Sequence, residues 1–319
     1  MRKEIVCFGG GSAISKTTLT GLKKYSVKLS AISSMLDSGG SSAQFRIDFK
    51  TLPAGDIRRH LIALSDAPSW KKELFGLRIG REIFDGGHKG HSFGNIFVSG
   101  LEHIFQDFEK AMEISHEFLE IKDHKALPAT IEQSHIYAIL ENEEVVFGED
   151  EIDVPQRHDP KLKIKKLLLT KKVKAYLPAI DAISKADLIV IGPGDLYSSL
   201  LPCFLPDGIA EALQKTKAKK VFVCNTMTKH GETNGFSVLD FSDKMEKYIG
   251  CPLDFVIYNK EISSKERIDE HKKNAVGILE PVKIDKELDD KKFIGNNILI
   301  KDGPIFHDPE ILAKLIMSL

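Results

Sequence analysis

Apolar positions along the chain recur as short runs separated by long amphipathic stretches. Residues 5–8, 29–35, 188–191, 221–224 and 255–258 are rich in Val, Ile or Phe, and most end in Gly, Pro, Asn or Ser before a helical pattern begins. A run that is apolar at almost every position suits a strand buried on both faces, the condition of parallel strands covered by helices. The strand, loop, helix rhythm therefore predicts an α/β fold, a doubly wound and mainly parallel Rossmann-like sheet. Helical spacing comes after the first run at 17–25 and fills the interval before the third at 55–65, 92–106 and 108–119. Between 126 and 169 the pattern changes. Residues 126–131, 135–140, 145–152 and 164–169 read as consecutive strands, with Glu141-Asn142-Glu143-Glu144 as a turn. Short strands with little helix between them predict an antiparallel β insertion at about 126–169, packed on a single α/β domain spanning 1–319. Helical spacing resumes at 178–184, and 263–273 reads as a charged helix with a solvated face. Asp308 reads as the N-cap of a last helix over 309–319 that docks on the core.

Composition narrows the function classes. The 319 residues are 42% hydrophobic, and 45 Lys and Arg are matched by 46 Asp and Glu, so no basic excess drives contact with nucleic acid or an anionic membrane. No run approaches the roughly 18–20 apolar residues of a membrane span, and the stretch after Arg2 and Lys3 is only a strand long. The expected location is the cytoplasm. Cys7, Cys203, Cys224 and Cys251 form no C-x-x-C pair and are expected to be reduced. The nearest histidine pair, His88 and His91, sits in a glycine-rich loop with no metal-binding partner at a known spacing.

Candidate chemistry lies in the loops at the strand ends, because ligands of open parallel sheets bind at the carboxyl ends. After the first strand come Gly9, Gly10, Gly11 and Ser12, where glycine permits a sharp turn and a helix start can attract phosphate. The dinucleotide fingerprint G-x-G-x-x-G fails at Ile14, so this loop reads as an anion site or as a bare tight turn. After the second come Asp37, Ser38, Gly39, Gly40, Ser41 and Ser42, a loop able to cradle oxyanions, with Asp37 placed for a ribose hydroxyl or a water on Mg²⁺. Asp56 opens a helix as N-cap or functional carboxylate, and Arg58 is a phosphate clamp or an exposed helix residue. Asn95 stands at another glycine-rich helix start. Gly192, Pro193, Gly194, Asp195 and Ser198 come after the third strand, and Asn225, Met227 and Thr228 after the fourth. A complete Walker A motif and a kinase motif set are absent, which leaves a nucleotide diphosphate or nucleotide sugar as the ligand chemistry.

Taken in order, Cys7 to Ser12, Asp37 to Ser42, Gly55 to Arg58, Gly90 to Asn95, Ile191 to Tyr197 and Cys224 to Thr228 resemble the CofD/YvcK family. One branch of that family is the Mg²⁺-dependent 2-phospho-L-lactate transferases, which use a guanosine diphosphate-linked donor. The other comprises gluconeogenesis factors, cytoplasmic proteins that bind UDP-sugars and influence carbon metabolism and cell-wall synthesis. Gly55-Asp56-Ile57-Arg58, Gly194-Asp195-Leu196-Tyr197 and Gly231-Glu232-Thr233 look like the second branch, so the resemblance implies a nucleotide-sugar-binding regulator. Mg²⁺, held by Asp37 and Asp56, is the one cofactor it brings in, and self-association stays open. The chain departs from the family pattern at Ser38, Ala43, Gln44 and Ala54, and at Phe306 of Phe306-His307-Asp308, where the regulators commonly have arginine.

Overall fold

The first apolar run becomes a central strand of the sheet. In the computed structural model, which describes residues 2–36, 51–79, 90–274 and 277–319, seven parallel strands lie in the order Phe293–Asn296, Phe255–Asn259, Lys219–Val223, Leu188–Ile191, Lys3–Phe8, Val27–Ser33, Lys125–Pro128. Cys7 is paired with Ala31 on one side and Val190 on the other. Chain order runs outward in both directions from the boundary between Lys3–Phe8 and Leu188–Ile191, which makes it the topological switch point.

Because side chains alternate along a strand, each strand feeds two cores. Val6, Phe8, Ile189, Ile191 and Phe222 face one layer, which also holds Ile183, Phe241 and Met245 from helices Leu177–Lys185 and Val238–Ile249. Ile5, Cys7, Leu188, Val190 and Val221 face the other, built from Ile57 and Leu61 of helix Gly55–Leu64 and Leu312 and Ile316 of helix Pro309–Ser318. Each fully buried side chain of this size contributes about 1.5–3 kcal/mol by leaving water. Asp308 caps the last helix as expected, its Oδ1 accepting from Glu310 N at 2.8 Å and Ile311 N at 3.0 Å. That helix docks so closely that a Cβ on Gly21 would stand 2.0 Å from Pro309 O.

The insertion is real but smaller than its sequence pattern. Strands Ile136–Leu140, Val145–Phe147 and Ile164–Leu169 form a three-stranded antiparallel sheet, and Ile136, Ala138, Leu140 and Leu167 join the first core layer. The Tyr197 hydroxyl donates to Ile164 O at 3.2 Å, and Tyr248 accepts from Leu167 N at 2.7 Å. Two expectations need correction. Residues from 126 do not start the antiparallel unit: Lys125–Pro128 pairs in parallel with Val27–Ser33 as the edge of the main sheet. The strand expected over 145–152 ends at Phe147, because Gly148 at φ +92° turns the chain into the short helix Glu149–Asp153. All four cysteines are unpaired, as expected.

Candidate functional site

The carboxyl ends of the strands open onto a cleft of about 990 Å³. Its floor is the loop after the first strand. Gly9 N donates to Ile32 O at 3.1 Å, which holds the loop against the neighbouring strand. Gly10 and Gly11 have no room for a side chain: a Cβ on Gly10 would lie 2.8 Å from Ser199 Cβ, and one on Gly11 2.8 Å from Asp56 Cα and O. Thr18 Oγ1 donates to Gly192 O at 3.0 Å, and Gly194 N to Asn225 Oδ1 at 3.2 Å, so the loops after three adjacent strands are fastened to one another.

Gly10, Ser12, Asp56, Arg58, Asn95, Pro193, Gly194, Asp195, Ser198, Asn225 and Met227 all line this cleft. Gly9, Gly11 and Gly192 are buried behind it, and Thr228 turns away, its hydroxyl donating to Glu280 O at 3.1 Å. Asp37, Gly39, Gly40, Ser41 and Ser42 lie outside the described residues. Asp56 does not cap its helix; its Oδ1 accepts from Arg59 Nη1 at 3.1 Å.

Arg58 is a poorly compensated charge. It is only 6% exposed, and its Nε and Nη1 have no hydrogen-bond partner among the described residues. Burial, with repulsion from Arg59 and Arg78, pushes its guanidinium down to about 10, still fully charged at neutral pH. Asn95 Oδ1 is likewise buried and unpartnered on the same cleft. His60, on the helix that carries Arg58, lies beside Gly9 and Gly10, and burial pushes it down to about 4. It is neutral at pH 7 and adds no charge to the floor.

A second polar assembly joins the candidate residues Asp195 and Ser198 to Asp153, Lys229 and Glu232, for which the sequence offers no binding role. The Lys229 ammonium, 8% exposed, contacts Asp153, Asp195 Oδ2 at 2.7 Å and Glu232 Oε1 at 3.4 Å. Glu232 also accepts from Tyr197 N at 2.7 Å, Ser198 N at 3.2 Å and Ser198 Oγ at 2.8 Å. Three carboxylates share one ammonium. Burial, then Asp195 and Asp153, raise Glu232 to about 7 against the opposing pull of Lys229, and the three carboxylates together raise Lys229 despite its burial. The three carboxylates lie within 4.8 Å of one another, but the ammonium already supplies their positive charge. A lysine inside the buried strand Met227–Lys229 was the available signal, since a charge there requires a partner. Nothing in the sequence marks Asp153 as that partner.

The profile of the family described as 2-phospho-L-lactate transferase CofD matches residues 5–299. The chain belongs to the CofD family. Within it, the chain is 34% identical to the gluconeogenesis factor of Bacillus subtilis, covering 100% of this chain and 98% of that protein. It is 35% identical to the gluconeogenesis factor of Halalkalibacterium halodurans, covering 87% and 88%. The crystal structure of a UPF0052 family member from Bacillus halodurans superposes with a TM-score of 0.87 at 33% identity, over 99% of this chain and 100% of that one. The doubly wound fold is thus common to this family member and its solved relative. Among the described residues no helix is long and apolar enough to cross a membrane.

Proposed function

We propose that this CofD family member binds a nucleotide sugar in the cleft, with the diphosphate on Arg58 and the glycine loop, and that it acts in the cytoplasm as a regulator akin to the gluconeogenesis factors. The observation that carries this reading is Arg58. A buried guanidinium whose Nε and Nη1 lack hydrogen-bond partners among the described residues is costly, and a diphosphate offers oxygens that such a fork can grip two at a time. Gly10 lines the cleft, and at a glycine a ligand meets main chain that no side chain screens. The resemblance to the regulators supplies the uridine. Calorimetric titration with UDP-sugars, GDP-sugars and dinucleotides tests the reading: a UDP-sugar should bind, and absence of binding by every ligand at millimolar concentration refutes it.

A second reading, Mg²⁺-dependent transfer from a nucleoside diphosphate-linked donor, draws on the description of the matched family and on Asp56 at the cleft wall. Asp56 alone does not make a metal site, since its carboxylate is shared with Arg59. Product formation from a guanosine diphosphate-linked donor, abolished by Asp37→Ala, is the result this reading requires.

A further inference from the structure

The cleft also has apolar lining, supplied by Met227, Ile278, Ile305 and Phe306. Phe306 is 41% exposed, yet the segment carrying it is firmly held. Arg267 donates from Nη2 to Ile300 O at 2.6 Å and from Nε to Gly303 O at 3.0 Å. Ile300 N donates to Phe306 O at 3.0 Å, and Thr226 Oγ1 to Ile305 O at 3.1 Å. The buried ring of His271 meets Phe306 edge to face, with centroids 5.6 Å apart and planes at 89°. One edge-to-face partner leaves a face of the phenyl ring for another planar group.

His307, next in sequence, lines the same cleft and is buried, with Nε2 unpartnered among the described residues. Burial pushes it down to about 4 against an opposing hydrogen bond to the Cys224 backbone, so the ring is neutral. The Cys224 N–H is committed to Ile257 O at 2.9 Å, which leaves the Cys224 carbonyl as the group facing the ring. A carbonyl fixes the proton on the nitrogen it faces, and Nε2 is then a bare acceptor.

We propose that Phe306 is a stacking platform for the base of the bound nucleotide and that His307 Nε2 accepts a hydrogen bond from that base. This deepens the nucleotide-sugar reading and rests on it. It divides the cleft chemically: Arg58 takes the diphosphate, and the Phe306 end takes a planar heterocycle bearing an N–H donor.

The test is calorimetric titration of UDP, GDP and inorganic pyrophosphate into the wild-type protein and into Phe306→Ala and Phe306→Tyr. Loss of one base–aromatic stack weakens binding roughly five- to 150-fold. Phe306→Ala should therefore lose affinity in that range for the nucleotide that binds, keep wild-type affinity for pyrophosphate, and be rescued by Phe306→Tyr. Nucleotide affinity unchanged in Phe306→Ala, or nucleotide and pyrophosphate weakened equally, overturns the platform while leaving the diphosphate reading intact. Wild-type protein that binds none of the three overturns both.

Discussion

Replacement of Arg58 by methionine should move stability and binding in opposite directions. Inside the fold the guanidinium falls from its ordinary value to about 10. At 1.36 kcal/mol per pH unit, that is about 3 kcal/mol against the charged form. Proton counts give the sign: between about 10 and the ordinary arginine value the unfolded chain holds the proton that the folded one has released, so stability rises with pH across that window. Below about 10 the penalty is fully present, and it is complete at pH 7. Methionine keeps the apolar stem and removes the charge, while its shorter side chain leaves a void worth about 1 kcal/mol. The ligand-free Arg58→Met protein should therefore be about 1–2 kcal/mol more stable and melt roughly 2–4 °C higher by calorimetry. Its affinity for inorganic pyrophosphate should fall at least about tenfold, since each hydrogen bond to a charged group contributes about 1.5–3 kcal/mol. A variant that melts below wild type and binds pyrophosphate equally well would refute the reasoning, because the guanidinium would then have satisfied partners within the fold.

Three further outcomes are expected. Glu232 is raised to about 7 from 4.5, so its contribution to stability is present below 4.5 and is lost as pH rises toward 7; Glu232→Gln should flatten that part of the melting profile between pH 4.5 and 7.5. Lys229→Met leaves Asp153, Asp195 and Glu232 facing one another without a cation and should cost about 3–5 kcal/mol in urea unfolding, with partial recovery when Glu232→Gln is added. Gly21→Ala places a Cβ 2.0 Å from Pro309 O and should lower the melting temperature by several degrees, with amide exchange in helix Pro309–Ser318 rising first; unchanged exchange there would contradict the packing.

Strands buried on both faces were readable because burial leaves no polar position to interrupt them, as in Leu188–Ile191. Edge strands were not. Phe293–Asn296 ends in Gly295 and Asn296 and has one buried residue, so nothing in its pattern separates it from a loop. Lys125–Pro128 was placed with its sequence neighbours because the next strand comes with no helix between, whereas its partner, Val27–Ser33, lies nearly a hundred residues upstream. Site residues divide in a similar way. Gly10, Gly194 and Asn225 were legible because loop residues after strands converge by topology. Lys229, Glu232 and Asp153 form a site only through distances between separate segments, and charge pairing across such separations leaves no local pattern. Arg58 was legible as a candidate cleft residue, but the lack of partners at its Nε and Nη1 among the described residues was not, because that depends on everything packed around it.

The switch point beside Lys3–Phe8 also sets a timetable for synthesis. One edge of that strand meets Val27–Ser33 almost at once, while the other waits for Leu188–Ile191. At about 5–20 residues per second, a ribosome delivers that second partner roughly 10 to 40 seconds later. Throughout that interval the nascent chain carries an apolar strand with an unclosed hydrogen-bonding edge, an invitation to wrong pairing.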